Sequence, residues 1–150
     1  VSTETDLIKL YSGRILELAA DIPHAERLAA PMASAKRRSP LCGSTVTADV
    51  TLRDGRVAEF GQEVKACALG QAAAAVLGAN IIGRDRSAIA RARDDLHAML
   101  KEGGDAPAPP FDGLEVLLPA RDYKNRHASI MLAFDATLEA IDEAAKADCA

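Results

Sequence analysis

The chain has 150 residues, 49% hydrophobic and 27% charged, long enough for one domain with a single core. A net charge of −4 and a sequence pI near 5.4 argue against nucleic acid as the principal partner. No apolar run approaches the roughly 18–20 residues of a membrane span and no charged-then-apolar leader opens the chain, so a cytoplasmic protein without a membrane anchor is expected. Aromatic residues make up only 3% and Trp is absent. The core must therefore be built from Ala, Val, Leu and Ile, which suits helices packed closely on a small sheet.

In chain order, Leu7, Ile8, Tyr11, Ile15 and Leu18 recur at helical spacing, and Thr3-x-x-Asp6 has the form of a capping box. They predict a helix over residues 4–20, ended by Asp21-Ile22-Pro23. Residues 24–41 contain Pro31, Pro40 and the basic cluster Lys36-Arg37-Arg38. This stretch reads as an irregular connection with a short edge strand near residues 27–29. Its basic cluster is either a solvated loop or a docking patch for an acidic partner.

Residues 45–53 alternate Val46, Ala48, Val50 and Leu52 with Thr45, Thr47, Asp49 and Thr51, the period of a half-buried strand. Asp54-Gly55 signals a hairpin turn, and residues 57–64 bring the chain back. A three-residue loop with a bulge at Gly55 pairs Val50 with Phe60 and Val46 with Val64, placing apolar residues on one face. Either plausible register brings Cys42 and Cys67, at the two open ends of the hairpin, close together. Residues 68–82 then form an Ala-rich helix, expected on the even-numbered face of the hairpin. Ser87 is the expected cap of a helix over 88–101, and residues 103–110 form a flexible or extended linker. The apolar run Leu114–Leu118 stops at Pro119, a charged loop follows, and a last helix covers about 127–146 before a C-terminal tail.

No phosphate loop, dinucleotide fingerprint, nucleophile elbow or zinc-protease motif is present, so an enzyme is not indicated. Thiol and imidazole chemistry remains. Cys67 sits at the first turn of the Ala-rich helix, where free N–H groups and nearby Lys65 favour a thiolate. Cys42 and Cys67 can share a zinc or iron ion, with His127 as a third ligand. They can equally be buried inert thiols, or one of them can carry sulfur. His24, His97 and Cys149 have no constellation around them.

At these residues the chain resembles the iron–sulfur cluster assembly scaffolds of the IscU/NifU N-terminal/SufU superfamily. Pro40-Leu41-Cys42-Gly43-Ser44 is similar to the family's Pro-x-Cys-Gly-Asp. Cys67 lies between a strand and an Ala-rich helix, as the second family cysteine does. Arg126-His127-Ala128-Ser129-Ile130 resembles the stretch around the third cysteine. The resemblance covers roughly residues 5–145. It implies an α+β fold of the SufE/NifU type, with a small antiparallel sheet of two or three strands, helices on one face and a core of about residues 5–146. It also implies a scaffold holding iron, zinc or a labile cluster, with a cysteine desulfurase and apo-protein acceptors as partners. Ser44 stands where the family's aspartate is expected and Ala128 where its third cysteine is. The implied ligand set is thus at most Cys42, Cys67 and His127. A metal-free sulfur acceptor that activates a desulfurase, or a binding module without the chemistry, is the alternative.

Overall fold

The computed structural model describes residues 12–40 and 43–149. Helix α1 (Gly13–Ala20) starts at Ser12, whose Oγ accepts the Ile15 N–H at 3.4 Å and caps the helix. The predicted helix over 4–20 is therefore not continuous through Ser12, and the Thr3/Asp6 capping box lies outside the described residues. Ile15 is fully buried and anchors α1 to the core.

Three antiparallel strands follow in spatial order β1 (Ala33–Arg38), β2 (Thr45–Arg53) and β3 (Arg56–Lys65). The expected pairs Val50–Phe60 and Val46–Val64 both form. The route to that register differs. Asp54 and Gly55 both take positive φ, 54° and 75°, and make a two-residue turn closed by Arg53–Arg56. The register then shifts between Thr51 and Leu52, so that Ala58 is the extra residue. A two-residue turn plus this bulge leaves the same downstream offset as the three-residue loop.

The edge strand is not at residues 27–29 but at Ala33–Arg38, and it contains the basic cluster read as a loop. Exposed Lys and Arg on an edge blunt its unpaired backbone groups against pairing with another chain. Residues 27–28 instead cross the sheet face opposite the helices. The Gln62 N–H donates to His24 O at 2.9 Å on the outer side of β3. A Cβ on Gly61 would collide with Glu26 O and crowd the Leu28 N–H, so only glycine lets this strap lie on the sheet. The strap is fastened by Asp49, fully buried on β2. Its carboxylate accepts from Arg27 Nε at 2.7 Å, Leu28 N at 2.9 Å and Ser34 Oγ at 2.5 Å.

The other face carries Val46, Ala48, Val50 and Phe60 into the core. Helix α4 (Lys124–Cys149), 26 residues long, lies against β1 and β2. The Ala-rich helix α2 (Ala68–Asn80) reaches the sheet mainly at β3, where Gln62 Nε2 donates to Ala74 O at 3.0 Å and Pro23 O at 3.3 Å. Its seat is on the even-numbered face, as expected, but on the β3 half of the hairpin. Leu69, Gly70 and residues 72–78 are all buried, and a helix apolar on every side belongs between other helices rather than over one sheet face.

Helix α3 (Arg86–Lys101) is capped by Asp85, whose Oδ1 accepts the Ala88 N–H at 2.9 Å; Ser87 is already inside the helix. Phe111–Asp122 forms a 3-10 segment in place of an apolar run and loop, burying Phe111, Leu114, Leu117 and Ala120, with Pro119 inside it. Arg121 ties it to the end of α3 through Met99 O at 2.8 Å and to the connection after α3 through Gly104 O at 3.0 Å. Among the described residues, no helix is long and apolar enough to cross a membrane.

Burial alone would raise the Asp49 pKa, but hydrogen bonds from Arg27, Ser34 and the Leu28 N–H, with the Arg27 charge, hold it below the usual carboxylate range. Its stabilisation is complete above the unfolded-chain carboxylate pKa and is lost as pH falls through the lower folded value. Asp49→Ala is expected to cost about 3 kcal/mol or more in urea unfolding at neutral pH, because donors to a charged acceptor are left unpaired. Asp49→Ala should also lose the acid-dependent part of stability below about pH 4. Equal urea midpoints for variant and parent would contradict this.

Candidate functional site around Cys67

Strand β3 ends at Lys65 and α2 begins at Ala68, so Cys67 sits at the junction as the helix N-cap. Its side chain makes no capping hydrogen bond. Its carbonyl accepts the Gln71 N–H at 2.9 Å, while Gln71 Nε2 donates to Ala66 O at 2.9 Å, fixing the junction backbone. The thiol is free and half-buried. It opens into a cavity of about 320 Å³ lined by Gly43, Ser44, Lys65, Ala66 and Arg126. Among the described residues two cationic side chains and no carboxylate line this cavity; Lys65 Nζ lies 3.6 Å from Glu63 Oε1 outside the lining.

On its inner side the sulfur meets one hydroxyl, which is linked to a second. Cys67 Sγ lies 3.4 Å from Ser129 Oγ, which lies 3.2 Å from Ser44 Oγ. Both serines are buried. Hydroxyl hydrogens rotate freely. The pair can therefore accept from a thiol, or reverse and donate toward a thiolate. The contact exists because α2 and α4 touch without an intervening side chain. A Cβ on Gly70 would sit 2.8 Å from Ser129 Oγ and 3.0 Å from Ser129 O.

Ser44 belongs to the connection between β1 and β2. That connection is pinned at its described ends by Ser39 N–Ser44 O at 2.8 Å and Gly43 N–Ser39 O at 3.0 Å, with Gly43 at φ 72°. Cys42 lies outside the described residues. The ladder ends at Thr45–Lys65, and Gly43, two residues before it, lines the Cys67 cavity.

His127 points elsewhere. It is 1% exposed, and its Nε2 lies 2.8 Å from Ala120 O, so Nε2 carries the proton in the neutral ring. Nδ1 has no hydrogen-bond partner among the described residues. The ring lines a second cavity with Ala128; Arg126, not His127, faces Cys67. Burial lowers the His127 pKa, the Ala120 and Arg121 carbonyls oppose that, and Lys101 and His97 lower it further. Among the described residues no three His, Cys, Asp or Glu side chains are grouped to hold a metal ion.

Ser129 is the site residue that sequence reasoning missed. A signal was present: Ser129 begins a run of small, buried positions (Ala133, Ala136, Ala140) on α4, and Gly70 lies in the first turn of α2. Together these mark a close helix crossing.

A crystal structure of a nitrogen-fixing NifU-like protein (N-terminal) from Brucella abortus matches with a TM-score of 0.91 and 45% identity, covering 94% of this chain and 98% of that one. This chain belongs to the NifU-like N-terminal family. The NifU-like fold recurs at lower identity. A protein from Fervidobacterium islandicum, described as a candidate iron–sulfur cluster assembly scaffold of the SUF system, has a TM-score of 0.77 at 18% identity, over 89% of this chain and 98% of that one. An uncharacterised protein of known structure has the same TM-score of 0.77 at 20% identity, over 90% and 98%. No family model and no curated protein matches the chain. In this NifU-like chain, the junction of β3, α2 and α4 is where the thiol and hydroxyls converge.

Gly70→Ala is expected to lower stability by about 1–3 kcal/mol, since the backbone at Ser129 must move. Ser129→Ala, which keeps the crossing, should slow alkylation of Cys67 by iodoacetamide roughly two- to tenfold, the equivalent of one hydrogen bond. An unchanged rate would remove the hydroxyl pair from the site. Because the folded His127 pKa is depressed, stability should be full above the unfolded-chain value near 6.5 and fall as pH drops from there through the folded value. His127→Gln should flatten that limb of the pH–stability profile.

Proposed function

We propose that this NifU-like chain acts in iron–sulfur cluster assembly as a scaffold-like protein, not an enzyme, that holds iron, zinc or a labile cluster as transient cargo. The observation that carries the proposal is the free Cys67 thiol, half-buried at a helix N-terminus and open to a cavity with Lys65 and Arg126 on its walls. The 45% identity to the Brucella NifU-like protein supports it. So does the description of the Fervidobacterium relative as a candidate scaffold for the SUF system.

In this reading Cys67 supplies the first sulfur ligand, and Cys42, immediately before the Gly43 wall, the second. His127 is the third, through the lone pair on Nδ1; Ala120 holds the opposite nitrogen and thereby fixes the tautomer. Because His127 lines the neighbouring cavity, its ligation requires the start of α4 to shift toward Cys67. Ser44 brings a neutral hydroxyl and Ala128 no donor at all, so one coordination position stays open to a partner's sulfur or a small thiol. An incomplete set suits cargo that is received and handed on. A cysteine desulfurase as sulfur source and apo-proteins as recipients are the partners this role calls for.

A second reading rests on the two cations beside the thiol. Cys67 as thiolate attacks the terminal sulfur of a desulfurase persulfide. The new S–S bond forms on Cys67, the old one breaks, and the desulfurase cysteine leaves as thiolate. Lys65 and Arg126 stabilise the negative charge on the transferred sulfur. No metal is needed.

Anaerobic reconstitution with iron and sulfide, followed by metal analysis, tests the first reading. Near-stoichiometric metal is expected in the parent, a strong reduction in Cys42→Ser and Cys67→Ser, and a smaller loss in His127→Ala. Metal content indifferent to Cys67→Ser would reject it. Incubation with a desulfurase and cysteine tests the second: intact-mass analysis should find one added sulfur atom on the parent and none on Cys67→Ser.

A further inference from the structure

The second cavity, about 350 Å³ in volume, runs between the end of β1, α3 and the first turns of α4. Arg37 and Arg38 line it from the sheet edge, Lys101 from α3 and Lys124 from α4. All four are exposed, and among the described residues none has a carboxylate within ion-pair distance. Among the described residues the groove holds one carboxylate, Asp135, which already accepts from Arg93 Nε at 2.9 Å. This cationic surface occurs on a chain of net charge −4. Two polar groups in the same lining are buried and unpartnered among the described residues: Ser39 Oγ and His127 Nδ1. A buried polar atom without a partner costs about 1–3 kcal/mol. Both lie beneath the groove's exposed cationic rim.

We propose that this groove docks an acidic, extended segment of a partner protein, its carboxylates on Arg37, Arg38, Lys101 and Lys124. The lining separates this occupant from the others. Pro40, exposed, and Ala128, half-buried, put apolar surface among the cations, which a peptide's aliphatic side chains use and a free oxyanion does not. No Phe, Tyr or Trp lines the groove to stack a base, and the negative chain repels a long polyanion. The groove also adjoins the Cys67 cavity. Lys124, His127 and Ala128 line the groove, and Arg126, on the same stretch of α4, lines that cavity. A partner held here is therefore held beside the thiol. The proposal depends on neither the metal nor the sulfur reading.

The test is fluorescence anisotropy with a labelled peptide of Glu, Asp and Leu, and the same peptide with Gln and Asn in place of the acids. Saturable binding of the acidic peptide alone is expected, weakened at least roughly tenfold by the double substitution Arg38→Glu/Lys124→Glu. Arg53→Glu, at the far hairpin turn, and Cys67→Ser should leave it unchanged. Urea unfolding of each variant verifies that the fold is intact. Backbone-amide NMR shifts on titration should centre on Ser39 and His127. Four results would overturn the proposal: equal binding of the neutral peptide, indifference to the double charge reversal, complete displacement by equimolar inorganic phosphate, or tighter binding of a single-stranded oligonucleotide.

Discussion

The contact of Gly70 with the backbone of Ser129 organises this molecule. It lets α2 and α4 meet at their N-terminal ends without a side chain between them. Because α2 starts where β3 stops, the same contact brings the helix N-cap, Cys67, onto Ser129, and through it onto Ser44 in the β1–β2 connection. Three segments far apart in sequence thus converge on one sulfur. The alanine-rich composition has the same origin, because helices that cross this closely have room only for small side chains.

The sheet supplies the platform. Helices cover one face and the strap before β1 covers the other, so β2 is enclosed on both sides and carries a fully buried carboxylate, Asp49. Three donors, two from the strap and one from β1, satisfy that charge and tie both segments to the central strand. Charge is distributed unevenly over the outside. The cavity at Cys67 and the adjoining groove are cationic, while the chain as a whole is acidic. A thiolate, a persulfide and a cluster held by thiolates are all anionic, and so is an acidic partner. One electrostatic character therefore serves both surfaces.

The hairpin register was legible because alternation buries one face, and a one-residue slip would expose every apolar side chain on it. The bulge was not, since Ala58 and a Gly55 loop lead to the same pairing beyond them. The edge strand β1 escaped notice because its exposed cationic residues carry no apolar alternation; what makes it a strand is pairing with β2, a tertiary effect. The 3-10 segment hid behind Pro119, which breaks an α-helix but is accommodated in the tighter turn. For the site, Cys67 at a strand-to-helix junction was readable from local pattern alone. The hydroxyl pair was not, because Ser44 and Ser129 are joined only by the crossing at Gly70. The separation of His127 from the Cys67 cavity was equally invisible: adjacent positions 126 and 127 on a helix point into different cavities.

The central claim is that the sulfur of Cys67 is the group on which this NifU-like chain receives its cargo. Metal K-edge X-ray absorption on the anaerobically loaded chain addresses it directly. Sulfur scattering at about 2.3 Å, the distance of a metal–thiolate bond, is predicted for the parent, with that shell diminished or lost in Cys67→Ser. A coordination shell of nitrogen and oxygen alone, or a sulfur shell unchanged by the substitution, would contradict the account.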